Sequence, residues 1–200
     1  SPAHGSGRNM RIRWKSVPTV LFGDELLDKA FTKARSAADR VNDSDKTFRV
    51  RKQMRGMVQT AGDTLYDSLM SMVHSWPSLD QMPRFDQAMI EAAVGCDMYR
   101  KNLASLQWAA GQIRSVASQN AKKITRTANI EYMHECRREA YGRISSLISQ
   151  VGKPLQWLNE SREVLKRLPS IDELDPCVVI AGAPNVGKSA LIRALSSGEP

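Results

Sequence analysis

The sequence is poor in the residues that build metal centres and disulfide frameworks. Its 200 residues hold three cysteines, Cys96, Cys136 and Cys177, and three histidines, His4, His74 and His134. The cysteines are odd in number and share no metal-ligand spacing. The histidines are equally dispersed, so neither a disulfide scaffold nor a histidine-based catalytic centre is expected. Cys96 and Cys177 stand among apolar neighbours and read as small buried hydrophobes. Aromatic residues make up only 6% of the chain. The four tryptophans, Trp14, Trp76, Trp108 and Trp157, fall in separate predicted elements. That is the distribution of packing anchors rather than of a base-stacking platform. No RNA-recognition or zinc-finger signature is present. No apolar run is long enough to cross a bilayer. A signal-peptide core is also lacking, which predicts an intracellular protein. Ser1–Asn9 is small, polar and glycine-containing, and residues 1–15 are set aside as a flexible or artificial tail.

Acidic residues are scarce in two places. The formal net charge is +8. Residues 1–60 carry 13 Lys and Arg against 6 acids, a net of +7, and residues 121–170 carry 10 against 5, a net of +5. Residues 61–120 and 171–200 each come to −2. A basic excess confined to two segments favours a polyanionic partner over a merely soluble surface.

What is abundant is helical periodicity. Asp24 is the expected N-cap of a first helix whose apolar line is Leu27, Ala30, Ala34, Ala37 and Val41. Asn42-Asp43-Ser44 supplies a turn, and a second helix starts near Asp45. Its line is Val50, Met54, Met57, Ala61, Leu65, Leu69, Met72 and Trp76, closed by Pro77. The third predicted helix runs without a break through Phe85, Met89, Ala92, Cys96, Tyr99, Leu103, Leu106, Ala110, Ile113, Ala117, Asn120 and Ile124. Such a seam, about 60 Å long at the rise of an α-helix, needs other helices to bury it. A fourth helix carries Ile130, Met133, Arg137, Ala140, Ile144, Leu147 and Val151, with Arg137 as its polar interruption. After Gly152 and Pro154 a short helix carries Leu155, Leu158, Leu165 and Leu168. Four helices on short connections predict a mainly α fold, a long antiparallel four-helix bundle over residues 16–168. A Pro- and acid-containing linker follows over 169–176.

The last segment, 177–200, has a different pattern. The apolar run Val178–Ile180 stops at Gly182, and Gly187-Lys188-Ser189 opens a second apolar-periodic stretch. This is strand, loop and helix start with G-x-x-x-x-G-K-[ST] across the loop. Gly182, Ala183, Pro184, Asn185, Val186, Gly187, Lys188 and Ser189 would cradle phosphates with backbone N–H groups at a helix N-terminus. Lys188 would reach the β- and γ-phosphates, and the Ser189 hydroxyl would ligate Mg²⁺. The alternative is a chance match between two buried elements.

Pro184–Ser189, P-N-V-G-K-S, resembles the G1 loop of translation-associated GTPases. Arg167–Asp172 (R-L-P-S-I-D), Val17–Val20 (V-P-T-V) and Asp24–Asp28 (D-E-L-L-D) resemble one family in particular. It is the nucleolar GTP-binding protein family of ribosome-assembly GTPases, of the Obg-like class, with archaeal counterparts. The resemblance implies a helical domain followed by an α/β P-loop GTPase domain, of which this chain carries the first strand, the loop and the start of the helix. It implies GTP and Mg²⁺ as ligands and the pre-ribosomal large subunit, its RNA and proteins, as partner. The chain is expected to be a monomer, cytoplasmic if archaeal and nucleolar if eukaryotic. Asn185 also makes K⁺ a candidate beside the phosphates. The alternative function is a P-loop ATPase with a protein-binding helical domain, since the loop reads phosphates and not the base.

Two departures bear on the resemblance. Ala190 stands where relatives carry a second small hydroxyl residue, and only eleven residues follow Ser189. Neither D-x-x-G nor N-K-x-D occurs after the loop. The chain therefore reads as an N-terminal fragment that should not hydrolyse GTP alone.

The basic cluster Lys46, Arg49, Arg51, Lys52 and Arg55 is the second candidate site. At 100° per residue, Arg51, Lys52 and Arg55 are expected opposite the Val50–Ala61 line, facing solvent. No acid at i+4 neutralises them. Two readings stand side by side, an ordinary solvated helix face and a patch on ribosomal RNA phosphates, and the family resemblance favours the second. Lys122, Lys123 and Arg126 complement the C-terminal dipole of the third predicted helix. Arg137, Arg138 and Arg143, interspersed with Glu135 and Glu139, read as salt-bridged surface.

Overall fold

The computed structural model describes residues 14–168. The described chain is almost wholly helical, with no strand. Its helices are α1 (Gly23–Asp39), α2 (Lys46–Ser75), α3 (Arg84–Ala93), α4 (Cys96–Arg126), α5 (Ile130–Gln150) and α6 (Gly152–Leu165). Short 3₁₀ turns lie at Trp14–Ser16 and Leu79–Gln81. The chain divides into two compact units. The larger comprises residues 19–76 and 97–160, and the smaller takes in residues 77–96 with the segments around 14–18 and 161–168.

In the larger unit, α1 presents Leu26, Ala30, Ala34 and Ala38, all buried. A ridge of alanines lets a neighbouring backbone come close, and α1 packs on α2 and α5. Asp24 is not its N-cap. The N-cap position is Phe22, two residues earlier, and the helix begins at Gly23 with no side-chain cap. Gly23 lies where α1 comes close to α5, since a Cβ there would lie 3.0 Å from Ile148 Cγ2. Asp24 and Glu25 instead occupy the first turn, where their charge complements the positive end of the helix dipole. Phe31 stacks on Tyr141 with ring centroids 4.2 Å apart. Contacts of 23 with 148 and 31 with 141 run in opposite order, so α1 and α5 are antiparallel.

Asp45 does cap α2, accepting the Phe48 N–H at 2.9 Å. The helix ends at Ser75, before Pro77. Its buried stripe is Val50, Met54, Val58, Ala61, Leu65, Leu69 and Met72. Val58 replaces the expected Met57, which is half-exposed. Gly62 is where α2 meets α4, since an added Cβ would lie only 2.5 Å from the Ala117 Cβ. Tyr66 meets Arg114 one turn further along α2, so these helices are antiparallel too.

The third predicted helix is two helices. Gly95, with φ of +87°, separates α3 from α4. Its N–H and that of Val94 both bond to the Ile90 carbonyl, at 3.0 and 2.9 Å. This left-handed glycine stop ends the first helix. α4 alone has 31 residues, about 46 Å at the helical rise. Its buried face includes Tyr99, Leu106, Ala110, Ile113, Ala117, Asn120 and Ile124. Asn120 is fully buried, with Nδ2 donating to the Val116 carbonyl at 3.0 Å and Oδ1 left without a partner among the described residues.

Asn129 caps α5 through the Tyr132 N–H at 3.1 Å. The buried stripe is Met133, Cys136, Ala140, Ile144 and Ile148. Cys136 takes the place expected for Arg137, and Ile148 that of Leu147, so the line has no polar interruption. Cys96, expected to be buried, is half-buried. Trp76 is buried, edge-on to Tyr99 at 5.4 Å. Trp108 is no packing anchor, being 50% exposed.

In the smaller unit Trp14, Val17, Leu79, Met82, Met89, Ile90 and Leu165 are buried. Arg162, 8% exposed, donates from Nε to the Val17 carbonyl at 2.7 Å and from Nη1 to Glu163 Oε1 at 3.0 Å. A buried guanidinium is tolerated because these bonds satisfy two of its nitrogens and one partner carries the opposite charge. The linker 169–176 and the strand, loop and helix expected over 177–200 lie outside the described residues.

Candidate functional site

Gly182, Ala183, Pro184, Asn185, Val186, Gly187, Lys188 and Ser189 belong to that undescribed segment. The basic residues of the helical part are all in view. They divide by what their charges touch.

The turn before α2 draws the Lys46–Arg55 cluster back onto the chain. Asp43 Oδ1 accepts the Asp45 N–H at 3.0 Å, which folds the turn. Its Oδ2 then receives Lys52 Nζ at 2.9 Å. Hydrogen bonding from Lys52, then from the Asp45 backbone, holds the Asp43 carboxyl below its ordinary value. Arg49 donates from Nη1 to the Asp43 carbonyl at 3.0 Å. Arg51 reaches furthest, donating from Nη2 to the Thr127 carbonyl at 2.8 Å, in the turn between α4 and α5. Its guanidinium also lies 5.3 Å from the centroid of the Phe48 ring.

These bonds correct two expectations. Arg51 follows the buried Val50, so it flanks the apolar stripe rather than opposing it, and it is half-buried. Lys52 does have an acidic partner. That partner lies nine residues back in the preceding turn, outside the four-residue spacing at which neighbours on one helix pair. Lys46 and Arg55 make no hydrogen bond or ion pair among the described residues. Of the cluster, only these two keep their donors free.

The second basic region lies on α4. Lys123 pairs with Glu139 at 3.6 Å. Lys122 and Arg126 are exposed and form no ion pair among the described residues. They line an open groove of about 490 Å³ between α2 and α4, together with Arg114 and Ser118 of α4 and Gln59 and Asp63 of α2. Ala117 and Ala121 form its small floor. Arg114 lies flat on Tyr66, its guanidinium carbon 3.6 Å from the ring centroid. That stacking fixes the guanidinium plane and leaves its N–H edge available.

The groove is not evident from the sequence because Arg114 sits in a stretch of net negative charge. Its local signal is the four-residue spacing Arg114, Ser118, Lys122, Arg126, which sets one residue per turn on one side of α4. No cluster of three metal-ligating side chains occurs among the described residues. None of the described helices is long and apolar enough to cross a membrane.

Comparison with known proteins supplies what the helices alone do not. The chain is 30% identical over 188 residues to an uncharacterized protein of Methanocaldococcus jannaschii, covering 93% of this chain and 53% of that protein. It is 24% identical over 191 residues to nucleolar GTP-binding protein 1 of Saccharomyces cerevisiae, covering 95% of this chain and 30% of that protein. The protein of the same name from Drosophila melanogaster is 25% identical over 182 residues, covering 91% and 28%. The chain thus spans from about a quarter to about half the length of these relatives. The NOG1 N-terminal helical domain matches residues 14–172. That span holds every described helix, and the chain belongs to the NOG1 N-terminal helical domain family.

Proposed function

We propose that this chain is the N-terminal helical part, with the first strand and phosphate loop, of an Obg-like GTP-binding factor in large ribosomal subunit assembly. The observation that carries the reading is the family match over residues 14–172, with G-x-x-x-x-G-K-S following it at Gly182–Ser189. Relatives matched across nearly the whole chain are named nucleolar GTP-binding proteins. In this reading residues 16–168 form an antiparallel bundle that docks on pre-ribosomal RNA or protein. Residues 169–176 link it to the nucleotide domain, and the GTP state governs binding or release. The basic surface supports RNA as the first contact, with Lys46 and Arg55 as the free cations of the α2 cluster. A eukaryotic protein of this kind would be nucleolar and an archaeal one cytoplasmic.

Within the loop, Lys188 would face the β- and γ-phosphates and Ser189 would ligate Mg²⁺, which supplies charge neutralisation there. Asn185 would offer its side-chain oxygen to K⁺. The test uses a protein extended through the whole nucleotide domain. GTP should bind in preference to ATP, and Lys188→Ala should abolish binding, because it removes the charge facing the phosphates. Unchanged affinity in that variant, measured by calorimetry, refutes the phosphate-loop reading. Preference for ATP refutes the GTPase assignment.

A further inference from the structure

The groove between α2 and α4 has a construction that the α2 cluster lacks. Along α4, Arg114, Ser118, Lys122 and Arg126 follow one another at four-residue intervals, each step rising about 6 Å. The sequence of groups along the groove is therefore cation, hydroxyl, cation, cation. None of the three cations is paired with an acid among the described residues, and Ser118 makes no hydrogen bond there. The Tyr66 ring lies beneath the guanidinium of Arg114, so one of the groove's two forked donors is held in place. Gln59 contributes an amide from the α2 wall, and Asp63 is the one acid lining the groove. The close approach at Gly62 and Ala117 keeps the two walls together.

We infer that this groove holds the phosphodiester backbone of RNA, with Arg114, Lys122 and Arg126 as its phosphate-binding cations. The inference rests on the reading that the helical part docks on RNA, and it locates that docking away from most of the α2 cluster. The lining distinguishes RNA from an acidic protein. A protein partner gains its affinity by seating apolar or aromatic anchors in desolvated pockets. No aromatic or large aliphatic side chain lines this groove, whose apolar lining is Ala117 and Ala121 among polar and charged groups. A nucleic-acid backbone needs only regularly placed donors and positive charge. Asp63 sits as a repulsive group on the α2 wall, which gives the assignment a variant of opposite sign.

The experiment measures binding of the full 200-residue chain to a labelled single-stranded RNA and to a hairpin of the same composition, by anisotropy across a salt series. Poly-glutamate serves as a competing polyanion. Replacing Arg114, Lys122 and Arg126 together by Gln should weaken RNA binding at least tenfold in low salt. It should flatten the log–log salt dependence by about 2–3, at roughly 0.7–0.9 for each phosphate no longer neutralised. Asp63→Asn should tighten binding roughly two- to fivefold, the scale of one partly exposed charge. Replacing Arg49 and Lys52, both held by Asp43, by Gln should change the slope by less than the share of a single phosphate. Thermal melts of each variant confirm that the fold is retained. If the α2 replacements flatten the slope and the groove replacements do not, the groove assignment is overturned while RNA docking stands. The same holds if wild type binds RNA and neither set matters. If wild type binds no RNA, or binds only poly-glutamate through the groove, both readings fall.

Discussion

At the start of α2 three of five cations are turned onto the chain's own oxygens, whereas three cations of α4 form no ion pair among the described residues. Arg49, Arg51 and Lys52 are held by Asp43 and by the Thr127 carbonyl. Arg114, Lys122 and Arg126 share a groove with one acid, Asp63, and none of them pairs with it. The sequence ranks the two regions the other way, because five cations within ten residues look denser than a ladder spread over α4. Density in sequence is a poor guide when a turn folds an aspartate back over the helix it precedes. What matters for a polyanion is which charges remain unmatched after folding.

The largest expected effect tests the walls of the groove. Gly62→Ala places a methyl 2.5 Å from the Ala117 Cβ, with both atoms fixed by helix backbone. Overpacking of this kind costs about 1–3 kcal/mol, read as a fall in melting temperature. It should also weaken RNA binding by spreading the groove. Gly111→Ala, on α4, meets nothing within 4 Å. That change should stabilise by about 0.5–1 kcal/mol, through helix propensity. Equal melting temperatures for the two variants would show that α2 and α4 do not meet at Gly62.

Next in size is the contrast between a structural and a free cation. Arg51→Ala removes the bond from Nη2 to Thr127 and leaves that carbonyl to find water. Bonds to a charged donor are worth about 1.5–3 kcal/mol when satisfied, so partial exposure puts the expected loss near the low end. Lys122→Ala, at an exposed and unpaired position, should stay within about 0.5 kcal/mol of wild type. The RNA salt slope should respond in the reverse sense. It should be little changed for Arg51→Ala and flatter for Lys122→Ala. A stability loss of the same size in both variants would erase the distinction between the regions.

A smaller effect isolates the preordering of the groove. Tyr66→Leu keeps apolar bulk on α2 but removes the face on which Arg114 lies. An exposed cation–π interaction is worth about 0.5–1 kcal/mol, so stability should fall slightly. RNA affinity should fall by a few fold with an unchanged salt slope, because the charge is still present. A slope reduced by the full share of one phosphate would mean that Arg114 needs Tyr66 to reach phosphate at all.

The helices themselves were legible from spacing, and their boundaries were less so. The start of α2 near Asp45 and its stop before Pro77 follow from local chemistry that any sequence displays. Gly95 was hidden because Ala92, Cys96 and Tyr99 keep the four-and-three phase across it, so the seam looked continuous while the backbone turned. Met57 against Val58, Arg137 against Cys136 and Leu147 against Ile148 are shifts of one residue. With 3.6 residues per turn, steps of three and four alternate to track one face, and tertiary packing chooses which comes first. Asp24 falls inside the first turn of α1 instead of capping it, because the helix starts at Gly23 without a side-chain cap. The groove needed two helices to exist, so no single stretch could announce it.

The smallest effect separates charge from shape in the α2 turn. Asp43 is exposed enough for solvent to screen its bond with Lys52, so the contribution to stability is slight and best seen through pH. Its carboxyl titrates below the ordinary 3.8 in the folded protein. A group depressed on folding contributes stability above its unfolded value, and that contribution is lost as pH falls through the folded one. Asp43→Asn removes the charge while keeping an oxygen able to accept the Asp45 N–H. In low salt the melting temperature of wild type should therefore exceed that of the variant at about pH 7, and the gap should close as the pH drops below 3.8. Added salt at neutral pH should shrink the same gap. A gap that persists in acid would assign Asp43 to the turn's shape alone. Lys52 would then return to the free cations, and the contrast with the groove would narrow to Arg49 and Arg51.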